Sequence, residues 1–108
     1  FSSVACRWDW LESDDAKRFT AAYRASGAWV NNAHPMEVAK AQASFFPNMA
    51  VDAVASAVGF YQRLGNWDGD ITIDPGHYET ALDVLAHSSM ITKRHPYDDV
   101  VGAPPAAS

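Results

Sequence analysis

The chain has 108 residues, of which 48% are apolar and 19% charged, and its four Trp, four Tyr and five Phe exclude an unstructured polypeptide; the length sets one domain as the ceiling. Eight Lys and Arg against thirteen Asp and Glu leave a formal charge of -5, so there is no basic field to neutralise a phosphate backbone or an anionic membrane, and nucleic acid is not an expected partner. A single cysteine, Cys6, excludes an internal disulfide framework, and no apolar run approaches the length of a membrane span.

In chain order, residues 1–7 (FSSVACR) are small and β-tolerant and predict a short N-terminal strand with Cys6 as a buried structural thiol. Asp9 followed by Glu12 is an acidic variant of the capping-box spacing and predicts a short turn. Ser13 ahead of Asp14 and Asp15 is an N-cap with two carboxylates where exposed N–H groups favour negative charge, so a helix is expected over 14–32. Phe19, Tyr23, Ser26 and Val30 recur at helical spacing as its inner face, flanked by Ala16, Ala22 and Trp29.

His34 and Pro35 predict the start of a second helix, because proline's missing N–H has no partner to lose there. Its expected inner face is Val38, Ala39, Ala41, Phe45 and Phe46, interrupted by Gln42, and Pro47 stops it by disfavouring helical geometry at Phe46. A third helix over 50–64 presents Val51, Val54, Ala55, Val58 and Tyr61, and Gly65 terminates it. Asp74 with Pro75 opens a fourth over 75–89, facing inward with Tyr78, Ala81, Leu82 and Leu85. Lys93, Arg94 and His95 are expected at its end as cations opposing the carbonyl dipole, and residues 102–108 as a flexible tail. The fold class is therefore mainly α: a short strand and about four helices. Their Ala-rich faces bury little area each, so further chain is expected to complete the core, and the start at Phe1 is read as that of a processed or excised piece.

Candidate chemistry is sparse. NWDGDITIDPGHYE, residues 66–79, spaces Asp68, Asp70, Thr72 and Glu79 like calcium-loop ligands, but Ile73 stands where the loop needs glycine and Pro75 cannot donate its N–H. No two of His34, His77, His87 and His95 have the spacing of a helical metal pair, so no metal site is expected. Asp83 and His87 are four apart and read as a surface pair, since no local motif marks a nucleophile beside them. The six glycines form no phosphate loop, and no cofactor is expected. Trp8, Trp10, Trp29 and Trp67 are read first as packing residues.

FTAAYRASGAWVNNAHPMEVAKAQASFFPNM, AVASAVGFYQRLGNWDGDITIDPGHYETALDVL and ITKRHPYDDVV together resemble the C-terminal third of ABC-transporter substrate-binding proteins of the nitrate, sulfonate, taurine and thiamine-precursor type. The matches are Ala22 to Arg24 with Ala28 to Val30, His34 with Pro35, Phe46 with Pro47, Leu64 to Trp67, Asp74 with Pro75, and Lys93 to Asp98, within residues 8–101. His34 departs from the family's usual Asn, and the DGD after Trp67 is an acidic insert. The resemblance implies a two-lobed α/β type II periplasmic-binding fold, of which residues 1–101 are the C-terminal helical segment. It further implies a small organic or anionic ligand, a membrane permease and the rest of the same polypeptide as partners, and a periplasmic or extracellular location. No catalytic residue is implied, and Trp67 is the one candidate for the rim of the ligand cleft. Two alternatives stand beside it: a thiamine-pyrimidine synthase-like enzyme of the same fold, and a self-contained helical interaction module.

Overall fold

The computed structural model describes residues 3–106 and is mainly α-helical. The helices are α1 (Trp8–Leu11), α2 (Asp14–Asn32), α3 (Pro35–Gln42) running into a 3-10 turn (Ala43–Phe45), α4 (Val51–Leu64), α5 (Pro75–His87) and α6 (Tyr97–Val100). No helix among the described residues is long and apolar enough to cross a membrane.

The helix starts follow their caps. The Ser13 hydroxyl accepts from the Ala16 N–H at 3.1 Å and opens α2. Nδ1 of His34 accepts from the Met36 N–H at 3.2 Å while the Glu37 carboxylate accepts from the His34 N–H at 3.4 Å, a reciprocal pair that opens α3. Asp74 accepts from the N–H groups of Gly76 and His77 and opens α5. At the other end, Gly65 closes α4 with φ 71°, a backbone state that costs a side chain roughly 1–2 kcal/mol.

Four expectations are corrected. No strand forms among the described residues: residues 3–7 lack regular structure, because a β-tolerant segment needs a neighbouring strand to complete its hydrogen bonds. Cys6 is exposed for the same reason, since no sheet covers it. Asp9 does not cap a turn; α1 begins one residue earlier, and Asp9 instead takes a two-pronged pair from Arg7 at 2.9 and 3.0 Å. α5 ends at His87, two residues early, because Ser89 enters the left-handed region with φ 58° and the Met90 N–H turns back onto the Leu85 carbonyl at 2.9 Å.

Packing divides the chain into two compact units, Phe1–Ala21 with Ile71–Ser108, and Ala22–Asp70. The second holds a core of Val38, Ala39, Val54, Ala55 and Val58, with Val30, Ala33, Met36 and Trp67 packed against it. Of the expected inner faces, these valines and alanines are buried, whereas Phe45 at 78% exposure, with Tyr23, Trp29, Phe46 and Tyr61, lies open to solvent. Phe45 is turned out because the helix tightens to 3-10 geometry at Ala43, which rotates the residues after it off the α3 face. In the first unit Ala16 is buried, as is Thr20, whose hydroxyl donates to the Ala16 carbonyl at 2.9 Å.

The accessible area is 8184 Å² for 11.8 kDa. Large apolar side chains contribute to it, with Phe45 at 78% exposure, Met90 at 72% and Leu64 at 58%.

Candidate functional site

The first unit contains a concave cleft of about 340 Å³, lined by Ser3 to Cys6, Trp8 and Leu11 on one side and by Ile73, Tyr78 and Val100 to Gly102 on the other. Its walls are positioned by polar staples. The Tyr78 hydroxyl donates to the His95 carbonyl at 2.7 Å, the Tyr97 hydroxyl donates to the Ile73 carbonyl, and the two rings meet edge-on at 5.6 Å. These two bonds tie the approach to α5 and the segment after it to one another. Gly102 sits so close to α1 that an added Cβ would lie 2.5 Å from the Leu11 side chain and 2.9 Å from the Trp8 ring.

Arg94 completes the frame. Its guanidinium donates to the Glu79 carboxylate at 2.7 Å and to the Asp83 carboxylate at 2.8 Å, and both hold its pKa above the ordinary value, Glu79 foremost. This corrects two sequence readings. Asp83 pairs with Arg94, not with His87, and Arg94 reaches back along α5 and does not serve the carbonyls at its end. A turn of chain between positions 88 and 94 makes the longer-range partner available, and a guanidinium offers two parallel donors where an imidazole offers one.

Chemically, the cleft offers a mixed surface in which apolar side chains alternate with backbone polar groups, the Ser3 hydroxyl and the Cys6 thiol. The Tyr78 hydroxyl is engaged with a carbonyl, and no carboxylate or imidazole lines the walls. Among the described residues no group of three or more His, Cys, Asp and Glu is placed to hold a metal. The acidic connector is consumed in structure: Asp70 pairs with Arg24 at 2.9 Å, and Asp74 caps α5.

Trp67 lies in the second unit. It is half-buried against the core, its carbonyl accepts from the Asn31 side-chain amide at 2.8 Å, and its ring meets Tyr61 edge-on at 5.8 Å. These contacts anchor the turn after α4. Of the other tryptophans, Trp10 meets Phe19 edge-on at 5.9 Å, whereas Trp8, at 56% exposure, borders the cleft and Trp29 is exposed. Sequence reasoning missed the cleft because its two walls are some 60 residues apart in the chain and are joined by tyrosine-to-carbonyl bonds that have no local signature. Comparison with protein-family models, curated proteins and solved structures finds no match to this chain.

Proposed function

We propose that these residues form the C-terminal helical part of a solute-binding protein that captures a small organic or anionic nutrient and presents it to an ABC-type permease, without catalysis. The two-lobed α/β fold belongs to this proposal. The observation that carries it is a set of large apolar side chains left exposed: Trp29 at 46%, Phe45 at 78% and Met90 at 72%. Helices of this kind find their partner in a sheet supplied by the rest of the polypeptide. Ligand binding then shifts a lobe-opening equilibrium, and the closed form docks on the permease. In this reading Trp67 borders the interlobe cleft, held there by Asn31 and Tyr61.

The test has two parts. Residues 1–108 alone are expected to unfold less steeply than the polypeptide carrying both lobes and to bind a hydrophobic dye; an equally sharp transition without dye binding overturns the dependence on further chain and favours the helical interaction module. The polypeptide carrying both lobes is expected to release heat on titration with a sulfonate, nitrate or a thiamine-precursor pyrimidine. No heat with any of the three overturns the solute-capture reading.

A further inference from the structure

Helix α4 is apolar on two sides. Val54, Ala55, Val58 and Gly59 face the core, while Ala53, Ala57, Phe60 and Leu64 form a second stripe, exposed along its whole length, with Phe60 at 53% and Leu64 at 58%. These four stand at the i, i+4, i+7, i+11 spacing of a helix–helix seam. A surface helix with one partner is polar opposite that partner; α4 confines its polar side chains to a narrow strip containing Asp52, Ser56 and Arg63, with Gln62 turned inward onto the carbonyls of Val30 and Ala33.

The stripe is complementary to itself when reversed. Laid antiparallel on a second α4, Ala53 meets Leu64 and Ala57 meets Phe60, small against large at every level, which is how facing layers interdigitate. The flanking charges obey the same symmetry. Asp52 and Arg63 lie on one edge of the helix near opposite ends, and neither has an ion-pair partner among the described residues. In an antiparallel pair the same edges adjoin, so each Asp52 approaches the Arg63 of the other copy.

From this self-complementarity of shape and charge we infer that the outer face of α4 docks a second copy of this chain as an antiparallel, two-fold α4–α4 pair. With 14 residues, α4 is about 21 Å long, so the interface is small and the association weak. The inference concerns one helix face and stands apart from solute capture.

The experiment is oxidative crosslinking of the 108-residue chain in a Cys6→Ser background, so that the exposed native thiol does not contribute. Ala53→Cys and Leu64→Cys are prepared separately; a mixture of the two is expected to crosslink at least tenfold faster than either alone. Equal crosslinking in the unmixed samples overturns the antiparallel register. By sedimentation, Phe60→Glu is expected to raise the dimer midpoint at least tenfold with unchanged helical circular dichroism. Asp52→Arg raises it about two- to fivefold, and adding Arg63→Asp restores it. A wild-type chain that stays monomeric to millimolar concentration overturns the proposal and leaves the stripe to another segment of polypeptide. Failure of the solute-capture reading alters unfolding cooperativity or ligand heat and leaves the crosslinking pattern as it is.

Discussion

The two units are held together by different physics. In Ala22–Asp70 five buried apolar residues carry the packing, and three side-chain amide bonds from Asn31 and Gln62 to backbone carbonyls seal its end. In Phe1–Ala21 with Ile71–Ser108, Ala16 is the one buried apolar side chain among the described residues, and two tyrosine hydroxyls, one arginine and a tight glycine approach hold the segments in place. Hydrogen bonds give geometry but contribute little net free energy each, roughly 0.5–1.5 kcal/mol, whereas apolar burial accumulates. The first unit thus relies mainly on polar staples and is weakly stabilised, whereas the second adds apolar burial to its polar bonds.

The sharpest way to break that contrast is in the second unit. Val38→Ala removes two methyl groups from a fully buried side chain and is expected to cost about 2 kcal/mol in urea unfolding, against less than about 0.5 kcal/mol for Val84→Ala on exposed α5. Next in size is Gly102→Ala, whose methyl collides with Leu11 and Trp8; about 1–2 kcal/mol is expected, with a change in Trp8 fluorescence. If the first unit instead yields without loss, its walls are looser than the staples imply.

Smaller effects sharpen the comparison. Ser89→Gly relieves the left-handed strain at the end of α5 and is expected to stabilise the first unit by about 1 kcal/mol, read as a higher thermal midpoint. His34→Asn replaces an imidazole cap with the preferred amide at the start of α3 and is expected to add about 0.5 kcal/mol to the second. The smallest effect is acid sensitivity. The Arg7 guanidinium lowers the pKa of Asp9, and Lys17 lowers that of Asp14, both from an ordinary 3.8. With folded values below unfolded ones, these pairs stabilise the fold above pH 3.8 and lose that contribution as pH falls through the folded values. Removing them by Asp9→Asn with Asp14→Asn is expected to flatten this acid limb of a pH titration followed by circular dichroism. An unchanged limb locates the sensitivity elsewhere.

The legible parts of the fold were those written locally. The Ser13, His34–Pro35, Asp74–Pro75 and Gly65 signals mark helix ends because each acts within three or four residues of itself, and α2 and α4 begin and end within a residue of expectation. What stayed hidden depends on distant partners. No spacing reveals that Tyr78 takes the His95 carbonyl, that Arg94 takes Glu79 and Asp83, or that residues 3–7 lack a strand to join. The short α6 carries no side-chain cap and so left no signal. Trp67, two positions past the Gly65 stop, was legible as a packing residue, while the cleft was not, since Trp8 and Gly102 meet only in three dimensions.

Gln62 has a bearing on the order in which the molecule assembles. Its amide donates to the Val30 carbonyl at 2.7 Å and the Ala33 carbonyl at 3.0 Å, two acceptors at the end of α2 that a glycine cap would otherwise serve. The stop of α2 is set locally, ahead of Pro35, but two of the carbonyls it leaves open are satisfied from about 30 residues away and stay with water until α4 has docked. Amide hydrogen exchange in the last turn of α2 should then report on the arrival of α4, protected together with it and released together with it.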